Sequence, residues 1–430
     1  VPARFSQLTT PTMKTVVRST AALTIAQGLG YVVSLAEVPI LARALGLAAY
    51  GELIWVQATA LLASILVDYG FNLSASRAIA TNREDRSFIK QICGDVFLAK
   101  LILLTLVTLP LLLAYSFFTP ISTDMALAGF VYFLGFGLTP FWYFQGTERM
   151  GRSVAIETVT RLAAVIGLYF LVHTPEDKTL ALSIMALGSI ACTGITIAMC
   201  RYEVGSFTGS IKGAIAQLHQ STAFFIYKSS GQLMTTAATT VLGAVAGKAA
   251  VGIFAPAEKV VKAVIGLALP VFHAFYPHLS RLFVEDRQKK HQQSLWLLGA
   301  VTLCGLLAAT LLSFVGPVIM AWMLGPGFDS VNQLLLLMVW LIPLRLLNQT
   351  LGFAVLLPAQ REHSAGLASL FSSAVSLGLG AYLAISYGAI GMVVGVLVGE
   401  AVLVFMQIYL SFMAMAKPGN KPSRQSRNVR

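Results

Sequence analysis

Lys100, Lys228, Lys259 and Arg345, together with Glu37, Asp95 and Glu400, are ionisable residues set inside long apolar runs, none with an opposite charge at helical spacing on its own run. A charge near the centre of a bilayer costs at least ~2.5–3.5 kcal/mol, so each needs a partner or a wet cavity. Bases that share such a cavity favour an anion. The chemistry expected of Lys100, Lys228, Lys259 and Arg345 is the holding of a phosphate-bearing substrate, and that of Glu37, Glu400 or Asp95 the holding of a coupling ion, a proton or sodium. Two further pairs explain themselves: Glu157 with Arg161 and Glu258 with Lys262 stand four apart, acid first, on one helix face, and read as structural pairs. No catalytic residue and no metal site is expected, because the chain has no HExxH, no CxxC and no nucleophile elbow. GAVAGKAA (Gly243 to Ala250) has one residue too few between its glycines for a phosphate loop and no Ser or Thr after the Lys, so no nucleotide cofactor is expected.

These residues have to be positioned by membrane helices. Of the 430 residues 57% are apolar and only 11% charged, against about 25% charged in a soluble domain. Apolar runs near the length needed to cross ~30 Å of hydrocarbon recur along the chain. The expected fold is all-α and integral to the membrane, with about twelve spans near 19–43, 49–68, 91–116, 125–145, 152–172, 179–200, 221–245, 249–277, 294–316, 331–352, 365–386 and 389–416. Residues 1–200 form an N-terminal six-helix lobe, 201–220 a cytoplasmic linker, 221–416 a C-terminal six-helix lobe and 417–430 a basic cytoplasmic tail. With both termini cytoplasmic, nearly every Lys and Arg outside the spans falls on the inner side, and only Arg43, Lys178 and Lys248 fall outside. The formal charge of +12 is therefore a topology signal, with some attraction to anionic membrane lipids, and nucleic acid is not an expected partner. Cys93, Cys192, Cys200 and Cys304 read as small packing residues.

An internal repeat supports the two lobes. Leu45 to Leu53 (LGLAAYGEL) and Ala246 to Phe254 (AGKAAVGIF) share Gly, Ala, Ala and Gly in register, each between the first and second spans of its half. Six spans per half put the halves the same way up, related by an axis along the membrane normal. Residues 69–90 mix apolar and charged positions as an interfacial amphipathic helix does. Trp142, Tyr143 and Phe144 near the inner end of the fourth span read as an interfacial aromatic belt.

Three stretches, RALGLAAYG from Arg43, DYGFNLSASRAIA from Asp68 and FWYFQGTERM from Phe141, resemble the O-antigen flippases, the polysaccharide transporters of the multidrug/oligosaccharidyl-lipid/polysaccharide exporter superfamily. The resemblance implies a bacterial inner-membrane protein without enzymatic activity. It would move undecaprenyl-pyrophosphate-linked oligosaccharide from the cytoplasmic to the periplasmic leaflet, by ion-coupled alternating access of two lobes about a cationic cavity, with polysaccharide polymerase and chain-length proteins as partners. Two readings stand beside it. A cation-coupled multidrug exporter of the same superfamily would favour acidic cavity residues. A polysaccharide polymerase or ligase would need a large outer loop, and every outer loop expected here is short.

Overall fold

The computed structural model describes residues 13–118, 121–267, 287–325, 328–356 and 361–416; the tail expected at 417–430 and the end of the span expected at 249–277 lie outside them. Every regular element among these residues is helical. In hydrocarbon each backbone N–H and C=O must be satisfied within its own segment, which a helix does and an isolated strand does not. Among the described residues nine helices are long and apolar enough to cross a membrane. Leu106, Ile166, Phe170, Phe314 and Phe405 stay exposed on their outer faces, where lipid would meet them.

Three of these helices bend sharply at a glycine. Helices α1 (Met13–Asp68) and α8 (Ile211–Gly266) are each 56 residues long, and they turn at Gly46 (φ 70°, ψ 175°) and Gly247 (φ 80°, ψ 177°). A Cβ is strained at such φ, so the glycines of the sequence repeat occupy the one turn that demands them. The two turns also meet reciprocally. A Cβ on Gly51 would collide with the carbonyl oxygen of Lys248, and one on Gly252 with that of Leu47. Small residues thus let the two backbones approach where α1 crosses α8. The last long helix, α12 (Glu362–Ala416), bends at Gly388 (φ 56°, ψ −132°). The limbs on either side of these bends coincide with the spans expected at 19–43 and 49–68, at 221–245 and 249 onward, and at 365–386 and 389–416.

Between them run α2 (Phe71–Thr81), α3 (Arg86–Phe118), α4 (Thr123–Leu138), α5 (Phe141–Gly146), α6 (Met150–Leu171), α7 (Lys178–Val204), α9 (Arg287–Leu324), α10 (Asp329–Met338) and α11 (Leu341–Thr350). Pro140 separates α4 from α5, and α11 runs on into a π-helical stretch, Leu351–Leu356. The amphipathic stretch becomes α2, which buries Phe71, Ala75, Ser76 and Ile79. It packs against α5 so closely that a Cβ on Gly146 would meet Ser76 and Ile79. This contact corrects the reading of the aromatic belt. Trp142, Tyr143 and Phe144 are at most 3% exposed and form a core with Phe71, Ile79, Ile92 and Val96, because α2 covers the face that would otherwise meet lipid headgroups.

The non-helical part of the connection between the halves is short, residues 205–210, and it lies along α3. Thr208 N–H donates to the carbonyl of Lys90 (3.3 Å), and Phe207 stacks on Phe97 with ring centroids 5.1 Å apart.

Candidate functional site

The first limb of α1 places Glu37 against Lys259 of α8. Their charged atoms are 3.7 Å apart and join the N-terminal half to the C-terminal half. Glu37 is 7% exposed, in a helix that carries Pro39 two residues later. Its carboxylate also lines a cavity of about 40 Å³ with Tyr132 of α4, Glu157 and Arg161 of α6 and Cys192 of α7. That volume holds a few waters and no sugar. Glu157 and Arg161 pair as expected (3.7 Å), and so do Glu258 and Lys262 (3.0 Å), with Thr239 Oγ1 donating to Glu258 at 3.0 Å. The first of these pairs does more than the spacing implied, since it shares the cavity with Glu37. Glu37–Lys259, Glu157–Arg161 and Glu258–Lys262 thus set three acids against three bases.

Arg345 and Glu400, expected to serve substrate and ion separately, bind each other. Arg345 Nε donates to Glu400 Oε1 at 2.6 Å, and Asn348 Nδ2 donates to Oε2 at 2.7 Å, tying α11 to α12. Arg345 and Glu258 together line a cavity of only about 10 Å³.

Two expected site residues are held by backbone groups. Lys100 is fully buried; its Nζ donates to the carbonyls of Gly137 (2.9 Å) and Thr139 (3.2 Å) and lies 3.7 Å from Asp68 Oδ1. Those carbonyls end α4 just before Pro140, so the ammonium caps a helix C-terminus whose last acceptors have no partner within the helix. Asp95, 4% exposed, accepts the N–H of Ser210 at 2.8 Å, and its carboxylate occupies the space that a Cβ on Gly213 would enter. It holds the connection to the N-terminus of α8, where a negative charge is stabilised by the helix dipole. Asp95→Ala should lower the unfolding free energy by about 1–3 kcal/mol, because it leaves the Ser210 N–H without its acceptor. Asp95→Asn, which keeps the acceptor, should transport as wild type. Thermal unfolding in detergent and a transport assay check both, and loss of transport in the Asn variant would return Asp95 to an ion-binding role. The side chain of Lys228 lies outside the described residues.

At the glycine-turn end a residue that sequence reasoning missed ties three elements together. Glu52, 3% exposed, accepts from Lys178 (2.8 Å) and Lys248 (3.0 Å). Arg43 donates to the carbonyls of Met323 (3.2 Å) and Trp322 at the C-terminus of α9. Arg43, Lys178 and Lys248, the bases assigned to the outer side, therefore all serve this closure. The signal for Glu52 was its place within the repeat, beside Gly51. Some 22 residues of straight helix, about 33 Å at ~1.5 Å per residue, separate this end from the one carrying α2 and α5. There Ser74 and Ser221 share a hydrogen bond (2.7 Å) and Tyr69 stacks on Phe225 at 4.6 Å, so described contacts join the halves at both ends.

Residues 16–283 match the family described as "Polysaccharide biosynthesis protein". The chain belongs to that family. It is 29% identical over 352 residues, 79% of its own length and 83% of the relative's, to a protein of Escherichia coli (strain K12) named "Putative O-antigen transporter". A Shigella dysenteriae protein of the same name is 26% identical over 394 residues, covering 90% of this chain and 97% of the relative. Among solved structures the fold is similar to the lipid II flippase MurJ in an inward closed conformation (TM-score 0.74, 14% identity, 93% of this chain and 89% of that one). It is also similar to an inward-facing MATE multidrug transporter of the MOP superfamily (TM-score 0.70, 15% identity, 92% and 98%). Members of this polysaccharide biosynthesis family are multi-pass membrane transporters rather than enzymes.

Proposed function

We propose that the chain moves an undecaprenyl-pyrophosphate-linked oligosaccharide, an O-antigen or exopolysaccharide repeat unit, from the cytoplasmic to the periplasmic leaflet of a bacterial inner membrane by ion-coupled alternating access. The moving bodies are a lobe of residues 1–200 and a lobe of residues 221–416 related by a two-fold axis along the membrane normal. Both termini are cytoplasmic, and a polysaccharide polymerase and a chain-length protein receive the product. The observation that carries this reading is the Glu37–Lys259 pair, buried across the two halves of a polysaccharide-family membrane chain.

The pair supports an exchange. A phosphate entering between the lobes competes with Glu37 for Lys259, and Lys228, on the first limb of α8, joins it on sequence grounds. Glu37, released, is a buried carboxylate without its cation, and it takes a proton or sodium to remain inside. Substrate and coupling ion are thereby linked through one residue pair. Opening toward the periplasm has to break the Glu52–Lys248 contact and part the Gly51 and Gly252 crossing. Arg345 acts on this process indirectly, through its hold on Glu400.

The three carboxylates of these pairs support one second reading, a cation-coupled drug exporter in which Glu37, Glu157 and Glu258 receive a cationic drug. Deleting the gene and treating intact spheroplasts with a membrane-impermeant sugar oxidant separates the two. Protection of the lipid-linked sugar in the deletion strain, with exposure restored by the wild-type copy, is the expected result. Unchanged exposure together with lost efflux of a cationic dye would establish the exporter instead.

A further inference from the structure

A second cluster of arginines stands apart from the seam, at the end of the bundle that carries α2 and α5. Arg83 and Arg86 at the α2–α3 joint, Tyr143 and Thr147 of the α5 region, Arg149 and Glu203 line a cavity of about 250 Å³. The lining thus bears three guanidinium groups and one carboxylate. The carboxylate is already saturated: Glu203 Oε2 accepts from Tyr143 Oη and Arg149 Nη1, and Oε1 from Arg152 Nη1, each at 2.7 Å.

The other two arginines are available in different ways. Arg83 binds Glu148 at 2.5 Å, but the two side chains are 39% and 72% exposed, so an incoming anion can replace the carboxylate at small cost. Glu148 stands in the short turn between α5 and α6, with φ at 58°. The Arg83 guanidinium beside it also keeps its carboxyl below the usual range, so at neutral pH the contact is between full charges. Arg86 is exposed and has no ion pair among the described residues. Of the nearby acids, Asp85 is engaged by the Phe88 N–H (3.0 Å) at the start of α3, and Glu84 is not part of the lining.

The cavity's size, its planar donors and its place at the ends of membrane helices fit one ligand chemistry, a phosphate ester at the membrane–water boundary. Arginine matches phosphate oxygens with paired donors that a lone ammonium does not offer. We propose that this cavity receives the diphosphate of the lipid-linked substrate in the leaflet of departure, with Arg86 and Arg83 as the binding donors and Arg149 held in place by Glu203, before the headgroup passes to Lys259. The proposal rests on the function proposed above and names the first contact of that same substrate.

The test uses the full chain in phosphatidylcholine nanodiscs, with farnesyl diphosphate as the probe and phosphatidylglycerol as the competing phosphate ester. Wild type should bind farnesyl diphosphate more tightly than phosphatidylglycerol. Arg86→Gln should weaken that binding roughly tenfold, the loss of one charge-assisted contact, while Arg86→Lys loses less. Arg86→Gln unfolding at the wild-type temperature guards against a folding defect. Wild-type affinity in Arg86→Gln, or an equal loss for phosphatidylglycerol, overturns the proposal. If sugar flipping nevertheless persists in cells, the transport reading survives that failure; if flipping is absent from wild type as well, both fall.

Discussion

Lys259→Met is expected to leave a folded protein that reaches the membrane but flips lipid-linked sugar at least roughly tenfold more slowly, the equivalent of about 1.4 kcal/mol or more. The argument starts from geometry. At 3.7 Å, Lys259 and Glu37 are in charge contact but too far apart for a good hydrogen bond. Their attraction is about 4 kcal/mol at an effective dielectric near 20, and most of it offsets the desolvation of two charges inside the membrane. A contact held by so small a net margin is one a phosphate can displace. Replacing the lysine removes both the anion's partner and the event that frees Glu37. Lys259→Arg should therefore keep most of the activity. Glu37→Gln should fold and flip, with a rate that no longer responds to the ion gradient. The double variant Glu37→Gln/Lys259→Met leaves neither member of the pair charged, so it should be at least as abundant as either single variant while transport stays low. Sugar exposure in spheroplasts, normalised to protein level, measures each case. Full transport by the double variant would make the pair a structural staple and remove the central step of the proposed cycle.

The contrast among the buried charges shows what the chain discloses before it folds. Pairs four residues apart, Glu157–Arg161 and Glu258–Lys262, were legible because helix periodicity alone brings them together. So was the turn at Gly46 and Gly247, since a repeated small-residue pattern marks a repeated backbone demand. Glu37 and Lys259 were each recognisable as costly charges, but their pairing depends on how α1 crosses α8, and no local spacing encodes that crossing. The partners of Lys100 stayed hidden for a different reason. Its partners include main-chain carbonyls at the end of α4, and a tally of opposite charges overlooks backbone acceptors. The Thr139–Pro140 step, which must end a helix, was the available clue. The partner of Asp95 stayed hidden in the same way, because it is the backbone N–H that opens α8. The buried aromatics of α5 were read by composition, whereas α2 folding back over them decided their exposure.

Arg345→Ala is the change expected to harm the fold most, by about 3–5 kcal/mol, the range for stranding one member of a buried ion pair. Glu400 is 3% exposed, and its two oxygens are taken up by Arg345 Nε at 2.6 Å and Asn348 Nδ2 at 2.7 Å. Unlike Glu37, it holds short, directed bonds on both oxygens, and the adjoining cavity of about 10 Å³ admits no phosphate. An arginine held this way is a poor first contact for substrate but an effective clamp between α11 and the second limb of α12. The α11 helix leads directly into the π-helical stretch Leu351–Leu356, where a wider turn relaxes the regular hydrogen-bond pattern. Losing the clamp should loosen both together. The single variants Arg345→Ala and Glu400→Ala should each lower the protein level and the unfolding temperature in detergent. Arg345→Met/Glu400→Met, which removes both charges and keeps the volume, should restore stability to near wild type, since a buried pair replaced by apolar groups is often neutral. Its transport separates the two roles open to Arg345. Recovery of flipping along with stability is the expected outcome and makes Arg345 a positioning residue; a stable double variant that cannot flip would show that its charge acts on the substrate after all.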